Sequence, residues 1–238
     1  MGEKIVFVTG GTGGFGACLV RMLIENGCKV GFSYLKNAGK ARELEDAWPG
    51  RAAALRADIT DRESARAMAS FILDKWGRLD ALINCAGITK DGLLVKTSVS
   101  DWQEVMDVNL KGAFSSIKAC LPLLIDSGGG HVINISSYSG VKGKKGQAAY
   151  SASKAALIGL TVGAAAELGQ YGIKVNAVLP GYMPTGMGPV AGEAMEKAKQ
   201  DSMLGVLSNP EDAARIVVSL LETSSITGQV FPVESRVV

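Results

Sequence analysis

The chain alternates short apolar segments with longer segments in which apolar residues recur every three or four positions. The first pattern is typical of buried strands, and the second is typical of helices with one face on a core. Strands are predicted near residues 4–9, 29–33, 51–57, 79–84, 130–136, 173–179 and 227–233. Helices are predicted near residues 15–26, 38–47, 61–76, 101–125, 148–170 and 210–221. This alternation predicts an α/β fold with a doubly wound parallel sheet.

No linker or low-complexity stretch interrupts the alternation, so residues 1–238 are predicted to form a single domain. With 47% hydrophobic and 20% charged residues, the chain can bury a substantial core, which argues against disorder. In sheets of this kind, ligands bind beyond the carboxyl ends of the strands. Candidate functional residues are therefore expected in the loops that follow the strands.

The first predicted strand runs directly into a glycine-rich turn, Thr9-Gly10-Gly11-Thr12-Gly13-Gly14-Phe15-Gly16, and a helical pattern follows. Glycines between a strand and a helix let the backbone approach a pyrophosphate at the helix N-terminus, where free N–H groups favour an anion. The spacing of Gly10, Gly14 and Gly16 is wider than GxGxxG. The turn predicts a dinucleotide site, with a merely flexible turn as the alternative.

A second pattern joins Ser137, Tyr150 and Lys154. Tyr150 and Lys154 are four residues apart on a predicted helix and so share a face, and Ser137 lies thirteen positions before Tyr150. A tyrosine has an unperturbed pKa of about 10, and the ammonium of Lys154 is expected to lower the pKa of Tyr150. The set predicts proton transfer to or from a carbonyl or alcohol oxygen. An ordinary interfacial tyrosine–lysine pair is the alternative.

The two patterns together resemble the short-chain dehydrogenase/reductases. The motifs that carry the resemblance cover nearly the whole chain and are Thr9-Gly10…Gly14…Gly16, Asn84-Cys85-Ala86-Gly87, Asn109, Ser137 and Tyr150…Lys154. Segments 86–91 and 132–137 are most similar to 3-oxoacyl-(acyl-carrier-protein) reductases and acetoacetyl-CoA reductases. The resemblance implies a Rossmann-type sheet of seven strands in the order 3-2-1-4-5-6-7 and a nicotinamide cofactor.

The resemblance also implies roles for individual residues. Ser137 binds the carbonyl oxygen, and Tyr150 donates the proton. Lys154 binds the cofactor ribose and joins a water relay that passes Asn109. Cofactor contacts are expected at Gly10, Thr12, Gly14, Phe15, Gly16, Ser33, Tyr34, Lys36, Asp58, Ile59, Asn84, Ala86, Gly87, Tyr150, Lys154, Pro180, Gly181, Met183 and Thr185.

The end of the second strand bears on the choice between NADP and NAD. An NAD site places an acidic residue there for the ribose hydroxyls, and that carboxylate repels the 2′-phosphate of NADP. No acidic residue occurs between residues 26 and 40, and Ser33, Tyr34 and Lys36 are available to a phosphate. We therefore expect NADP in preference to NAD. Two points weigh against NADP. Gly13 stands where many NADP-dependent relatives have a basic residue, and the alternative interpretation of Lys36 is an ordinary solvated lysine on the surface.

Three polar positions also have structural explanations. Asp58, with Ile59, resembles the pair that contacts adenine, or it caps the helix that starts near residue 61. Asn84 lines the nicotinamide site or satisfies backbone groups at a strand end. Asn109 belongs to the relay, or it is a surface or helix-bending amide.

Two neighbours of motif residues need separate interpretation. Cys85 replaces the second asparagine of the family motif, and we expect a buried small hydrophobe with a local change in hydrogen bonding. Ser136 competes with Ser137 for the catalytic role. Alternation along the strand sends the two side chains opposite ways, which favours Ser137.

Composition excludes several classes of function. A net charge of +2 lacks the excess of a nucleic-acid-binding surface. Four cysteines without CxxC spacing, and His131 as the single histidine, predict reduced thiols and no metal site. No apolar run approaches the roughly 20 residues of a membrane span, and no signal peptide precedes the first strand. We expect a cytoplasmic protein without membrane or nucleic-acid partners.

The region after the sixth strand is expected to adjoin the substrate. Pro180-Gly181-Tyr182-Met183-Pro184-Thr185 resembles the family segment that closes over the nicotinamide. Residues from about 184 to 208 predict a mobile substrate lid, because a glycine- and proline-rich stretch precedes a short helix. The glycine and proline residues that define this stretch are Gly186, Gly188, Pro189 and Gly192.

The expected substrate is a 3-oxoacyl thioester, with another small ketone or alcohol as the alternative, and acyl carrier protein is a candidate partner. Docking this acidic carrier requires basic residues near the site. Residues 126–131 and 167–171 contain no lysine or arginine, and Val206 stands where many relatives have arginine. The main basic cluster near the site is Lys142, Lys144 and Lys145. We expect weaker dependence on the carrier protein than in relatives.

Assembly and the rival function rest on the resemblance. Relatives usually form tetramers through the helices near 101–125 and 148–170 and through the C-terminal strand. Here Val233-Glu234-Ser235-Arg236 replaces their Val-Asp-Gly-Gly, which is expected to weaken the C-terminal interface of a dimer or tetramer. A non-catalytic nucleotide-binding protein is the rival, although such proteins normally lack the tyrosine or lysine that are both present here.

Overall fold

The computed structural model of the chain describes residues 3–185 and 192–236, and a seven-stranded sheet lies at its centre. The strands are β1 (Ile5–Thr9), β2 (Lys29–Tyr34), β3 (Ala52–Arg56), β4 (Ala81–Asn84), β5 (Gly130–Ile135), β6 (Ile173–Pro180) and β7 (Val230–Val233). Neighbouring strands are parallel throughout, in the order β3-β2-β1-β4-β5-β6-β7. The predicted fold class and strand order are confirmed.

One or two α-helices of the described residues lie between each pair of consecutive strands. They are α1 (Gly14–Glu25), α2 (Ala38–Ala47), α3 (Arg62–Trp76), α4 (Val99–Met106), α5 (Gly112–Asp126), α6 (Ser139–Lys142), α7 (Ala148–Leu168), α8 (Gly192–Gln200) and α9 (Pro210–Leu220). A π-helical turn, Asp107–Lys111, joins α4 to α5. The helix predicted over 101–125 is therefore two α-helices joined by a wider turn.

Side-chain alternation along the strands sends apolar groups into two cores, one on each face of the sheet. In β1, Val6 and Val8 pack on the face covered by α1 and α9, and Ile5 and Phe7 pack on the face covered by α3, α5 and α7. Phe7 is fully buried, and burial of such a side chain contributes about 1.5–3 kcal/mol. A sheet buried on both faces explains the continuous apolar runs of the strands.

Local sequence signals fix where several helices begin and end. The Asp61 side chain accepts a hydrogen bond from the Ser64 N–H at the start of α3, and Gly77 ends that helix with φ 72°. Asn209 caps α9, whose first residue is Pro210. These ends set the direction in which each chain segment returns to the sheet.

One helical stretch of the structure differs from what the sequence predicts about membrane-spanning segments. The sequence predicts no stretch that could span a membrane. In the structure, the helical stretch Val99–Asp126 is long and apolar enough to do so by length and composition, as core helices of soluble proteins also are.

Of the predicted lid, Gly186, Gly188 and Pro189 lie outside the described residues. The short helix predicted after them is α8, which begins at Gly192.

Candidate active site

The carboxyl ends of β1, β4, β5 and β6 meet at one edge of the sheet, where the motif residues collect. The strand register places Thr9 beside Asn84 and Asn84 beside Asn134. Parallel strands end at the same edge, so loops that are distant in sequence become neighbours there. This edge is the candidate active site.

The glycine-rich turn is fastened to the neighbouring strands. Gly10 has φ +70°, and a Cβ atom there would lie 2.8 Å from the Ala86 Cα, so the position requires glycine. The Ser33 hydroxyl accepts a hydrogen bond from the Gly10 N–H at 3.2 Å. The Thr9 hydroxyl accepts from the N–H groups of Cys85 and Ala86 at 3.0 and 3.1 Å. The turn is thus held in one conformation before any ligand binds.

The N-terminus of α1 presents backbone donors to the space beyond this turn. The first helical bond runs from the Ala17 N–H to the Gly13 carbonyl, so the N–H groups of residues 14–16 have no helical partner. Among the described residues, no side chain caps this end. Gly14 is exposed, whereas the Phe15 side chain is buried in the core. Free N–H groups at a helix N-terminus fit a phosphate.

The residues expected around the cofactor ribose are brought near the turn to different degrees. Ser33 is buried and holds the Gly10 N–H. Tyr34 and Thr12 are half-buried, and Lys36 is exposed at the end of β2. Ser33 therefore positions the turn, and Lys36 is the residue free to approach an anion from solvent.

Asp58 has a different structural role from the helix cap that its sequence position suggests. Its Oδ1 accepts bonds from the Thr60 N–H at 2.9 Å and the Thr60 hydroxyl at 2.7 Å. Asp61 caps α3, so the alternative interpretation of Asp58 as that cap is wrong. Ile59 is buried and packs against Gly112, where any Cβ would lie within 3 Å of it.

Asn84 begins a buried polar chain that crosses two strands and a helix. Its Nδ2 donates to the Asn134 Oδ1 at 2.8 Å, and the Asn134 Nδ2 donates to the Thr161 hydroxyl at 2.9 Å. The Asn84 Oδ1 is buried without a partner among the described residues. An orphaned buried acceptor costs free energy, and a ligand donor or a water would satisfy it.

Cys85, beside Asn84, is half-buried and packs against the core. Burial raises the pKa of the Cys85 thiol to about 12, so it is neutral at physiological pH. Its backbone N–H bonds to the Thr9 hydroxyl. The small thiol therefore contributes to packing.

The two adjacent serines after β5 have different partners, as the alternation predicts. The Ser136 hydroxyl donates to the Lys154 carbonyl at 2.8 Å and is buried. The Ser137 side chain hydrogen-bonds Tyr150, and its Oγ also accepts from the Ser139 N–H at 3.2 Å. Ser137, and not Ser136, faces the tyrosine hydroxyl.

Burial dominates the protonation of Tyr150. It raises the pKa of Tyr150 to about 12, and the hydrogen bond to Ser137 lowers it by less. The sequence predicts a pKa lowered by Lys154, and the structure gives the opposite direction. The reason is the burial of the phenol, while the Lys154 Nζ donates to the Ile135 carbonyl at 2.7 Å and lies 5.7 Å from the Tyr150 ring centroid.

Lys154 is buried, and burial lowers its pKa to about 8. Close to neutral pH it can therefore hold or release a proton. A Cβ atom on Gly87 would lie 3.4 Å from the Lys154 Nζ and 3.2 Å from the Asn109 Oδ1. Because Gly87 has no side chain, the space between it and these two polar groups stays open.

Asn109 lies in the π-helical turn between α4 and α5 and is buried. Its Oδ1 accepts from the Ile88 N–H at 2.8 Å, and its Nδ2 donates to the Ile88 carbonyl and to the Ser153 hydroxyl, both at 3.0 Å. Asn109 is therefore neither a surface amide nor a simple helix-bending group. It fixes the loop after β4 beside the helix of Tyr150 and Lys154.

The segment after β6 reaches over the glycine turn. A Cβ atom on Gly14 would collide with the Thr185 backbone and side chain. Met183 packs partly buried against the core, and its carbonyl accepts from the Thr185 N–H at 2.8 Å. Pro180 ends β6 and Gly181 follows it. Thr185 therefore adjoins the N-terminus of α1, whereas Gly181 faces Glu234 and Ser208.

The sequence analysis missed Gln147, at the start of α7. Its Nε2 donates to both carboxylate oxygens of Asp91 at 3.1 and 3.0 Å, and its Oε1 accepts from the Ser139 hydroxyl at 3.4 Å. These bonds tie the loop after Ser137 to the helix of Tyr150. A polar residue just before a predicted helix was the available signal.

The residues present fit a dinucleotide. Uncapped N–H groups at α1 suit phosphates, the absence of a side chain at Gly87 keeps space open beside Lys154 and Asn109, and the Asn84 Oδ1 lacks a donor among the described residues. Among residues 3–185 and 192–236, no cluster of three or more histidine, cysteine, aspartate or glutamate side chains is placed to hold a metal ion.

Comparison with known proteins agrees with this geometry. The family model described as short chain dehydrogenase matches residues 4–196. The chain is 34% identical to the 3-oxoacyl-[acyl-carrier-protein] reductase FabG of Thermotoga maritima, over 99% of this chain and 98% of that protein. It is 37% identical to the acetoacetyl-CoA reductase of Synechocystis sp. (97% and 95% covered) and 38% identical to nodulation protein G of Azospirillum brasilense (97% and 94% covered). The resemblance predicted from the motifs is confirmed over nearly the full length.

Proposed function

Because the chain belongs to the short-chain dehydrogenase/reductase family, an oxidoreductase family that binds NAD(P), we propose that it is an NADPH-dependent reductase of 3-oxoacyl thioesters. One observation carries the chemical part of the proposal. Ser137, Tyr150 and Lys154 converge at the carboxyl end of β5, next to a turn suited to phosphates. The printed names of the relatives support the substrate class.

The side chains divide the proton chemistry between them. Ser137 donates a hydrogen bond to the substrate carbonyl oxygen and holds it beside the phenol of Tyr150. Tyr150 donates its proton to that oxygen as negative charge develops there. The bound nicotinamide supplies the hydride. A pKa of about 12 keeps Tyr150 protonated until substrate arrives.

Lys154 and Asn109 restore the proton. Lys154 has a pKa of about 8 and lies on the same helix face as Tyr150, so it passes a proton on near neutral pH. Asn109 holds the Ile88 backbone beside it and borders the space next to Gly87, which would hold the waters of the proposed relay. Lys154 also binds the ribose hydroxyls, and residues 14–16 bind the phosphates.

The preference for NADPH follows from the end of β2. No carboxylate lies between residues 26 and 40 to repel a 2′-phosphate, and Lys36 is exposed there. We expect kcat/KM for NADPH to exceed that for NADH by about tenfold or more. Lys36→Ala should reduce this ratio, and Lys40→Ala, which alters a lysine paired with Glu43 nearby, should leave it unchanged. A preference for NADH would overturn the cofactor assignment.

The substrate test distinguishes thioesters from free ketones. It also distinguishes substrates bound to acyl carrier protein from substrates on a small thioester mimic. Steady-state reduction is measured with acetoacetyl on N-acetylcysteamine, on coenzyme A and on acyl carrier protein, and with small free ketones. The basic cluster Lys142, Lys144 and Lys145 is exposed, and the Lys144 Nζ lies 5.3 Å from the ring centroid of Tyr182 beside the site. We expect weak dependence on the carrier, further weakened by charge reversal at Lys144 and Lys145. A strong carrier preference that survives the reversal contradicts this.

The same experiment addresses the rival function. A non-catalytic nucleotide-binding protein would bind NADPH but oxidise it with none of these substrates. An absence of turnover with intact cofactor binding would favour the rival.

We also propose that the enzyme is cytoplasmic and homo-oligomeric, and that residues from about 184 to 208 form its substrate lid.

A further inference from the structure

The last described residues of the chain form a buried ion pair. The Arg236 Nη2 and Nε lie 2.5 and 2.7 Å from the Glu234 Oε2. The Glu234 side chain is 2% exposed and that of Arg236 is 16% exposed. Removing two charges from water costs free energy that their attraction only partly offsets. Such a buried pair is therefore poorly explained by stability alone.

Arg236 contacts the loop that carries Ser137. Its guanidinium carbon lies 4.0 Å from the ring centroid of Tyr138, the residue that directly follows Ser137. A guanidinium stacked on a partly desolvated aromatic ring is attracted to the ring face. Arg236 therefore holds the Tyr138 ring on one side of the candidate active site.

Glu234 contacts the segment that follows the neighbouring strand, β6. A Cβ atom on Gly181 would collide with the Glu234 carboxylate and the Ser208 hydroxyl. Gly181 belongs to the segment after β6, which also reaches the glycine turn. The two side chains of the pair thus contact both of the adjacent loops that follow β5 and β6, at Tyr138 and at Gly181.

The residue between them fastens the segment that follows α8. The Ser235 carbonyl accepts from the Met203 N–H at 3.0 Å, and the hydroxyls of Ser235 and Ser202 are hydrogen-bonded. The Ser208 N–H donates to the Tyr182 carbonyl at 3.1 Å. Residues 202–208 are therefore held against the tail of the chain.

A narrow cleft lies between this segment and the C-terminal residues. It is lined by Tyr182, Ala198, Val206, Leu207, Glu234 and Arg236. Both bonds from Arg236 fall on one oxygen, and the Glu234 Oε1 has no partner among the described residues. The pair lacks the second parallel bond of a bidentate fork, so it is easier to open.

We propose that Glu234 and Arg236 form a clasp that keeps residues 202–208 closed beside Ser137 and restricts the substrate to short 3-oxoacyl groups. A long acyl chain must pass the wall made by Tyr138 and Arg236, or displace the tail. Arg236 is then a specificity-determining residue, and Glu234 is a positioning residue that acts through it. The chain-length part of this inference rests on the proposed function.

The first test compares chain lengths. The kcat/KM values of acetoacetyl and 3-oxodecanoyl N-acetylcysteamine thioesters are measured for the wild type, Arg236→Ala, Arg236→Lys, Glu234→Gln and the double variant E234Q/R236A. Arg215→Ala, which removes an exposed arginine paired with Asp212, is the matched control. We expect the wild type to prefer acetoacetyl and R236A to reduce that preference about tenfold, mainly through KM for the longer substrate.

The remaining variants separate the clasp from a general loss of structure. Lysine keeps the charge but stacks less well on a ring, so R236K should be intermediate. The double variant should resemble R236A, because the two side chains act as one unit. A preference that is unchanged in R236A, or lowered equally in R215A, overturns the proposal.

The second test does not depend on activity. Hydrogen exchange of residues 202–208 in the full chain should become about tenfold faster in R236A and E234Q and stay unchanged in R215A. Unchanged exchange in both clasp variants shows that the pair does not hold the segment. If the wild type reduces neither thioester, the proposed function and the chain-length part are wrong, and hydrogen exchange still decides whether the clasp exists.

Discussion

At the scale of single residues, Tyr150 and Lys154 share one buried corner, and burial shifts their proton affinities in opposite directions. It raises the pKa of Tyr150 to about 12 and lowers that of Lys154 to about 8, because burial disfavours whichever form is charged. At neutral pH Tyr150 is therefore protonated and neutral, and Lys154 is still mostly protonated but can release its proton at a slightly higher pH. The phenol therefore arrives at the reaction as a proton donor.

Replacing Tyr150 with phenylalanine tests the role of that proton. Tyr150→Phe removes the hydroxyl and keeps the ring, so we expect kcat to fall by about 10²–10⁴-fold, the usual contribution of a general acid. Cofactor binding, measured by fluorescence titration, should persist. Tyr171→Phe, at an exposed tyrosine, is the control and should retain full activity. Residual turnover above about a tenth of the wild-type rate would refute the mechanism.

The titration of Lys154 predicts a pH dependence of stability. Its pKa of about 8 in the folded protein lies below the unfolded value of about 10.4, so between these values the unfolded chain binds more protons. Stability of the wild type should therefore rise with pH across this window, relative to Lys154→Met. Urea unfolding from pH 7 to pH 10 measures the difference. A difference that stays constant, or moves the other way, contradicts the low pKa.

The motifs identified the reacting groups but not their electrostatics. The spacing of Tyr150 and Lys154 places them on one face of α7, and the structure agrees. The direction of the Tyr150 pKa depends on how deeply the fold buries the phenol and on the Ile135 carbonyl that engages the lysine. Neither is a property of the local sequence.

At the scale of elements, the π-helical turn explains how Asn109 reaches the site. The turn follows α4 directly, and Asn109 is its buried residue, whereas the four residues around it are at least partly exposed. Apolar periodicity continues across residues 101–125, which is why the sequence predicts one helix there. Pi-helical turns often occur at functional sites, in agreement with the proposed relay.

Asn109→Ala should lower the free energy of unfolding by about 3 kcal/mol. The change leaves the Ile88 N–H, the Ile88 carbonyl and the Ser153 hydroxyl without their amide partner, and each buried unsatisfied group costs about 1–3 kcal/mol. Asn26→Ala is the matched control, because that exposed amide bonds only the Met22 carbonyl. Urea denaturation measures both variants, and equal losses would show that the Asn109 bonds have no special weight.

At the scale of the whole molecule, the alternation of elements predicted the fold class, and the strand order followed from the resemblance. The contact between Tyr138 and Arg236 could not be predicted from the sequence, because it joins positions almost a hundred residues apart that share no motif. The C-terminal Glu234-Ser235-Arg236 was noted only as a departure from relatives. Its role in the fold depends on side-chain packing against residues 202–208.

Assembly supplies the last prediction, because α7 is apolar on its exposed side as well as its buried side. Its exposed residues include Ala155, Gly159, Val162, Gly163 and Ala166. A helix that is apolar all round is normally buried, and small residues permit close approach of a second helix. We therefore expect this face of α7 to pack against a second copy of the chain in a dimer or tetramer.

Gly159→Arg should dissociate that assembly. A side chain at Gly159 meets nothing within 4 Å among the described residues, so the chain itself tolerates the change, and arginine favours a helix over glycine. Gly39→Arg in α2, where the nearest atom lies at 3.9 Å, is the matched control. Light scattering at micromolar concentration should give a dimer or tetramer for the wild type and G39R, and a smaller species for G159R. A monomeric wild type would contradict the expected assembly, and an unchanged mass for G159R would exclude α7 from the interface.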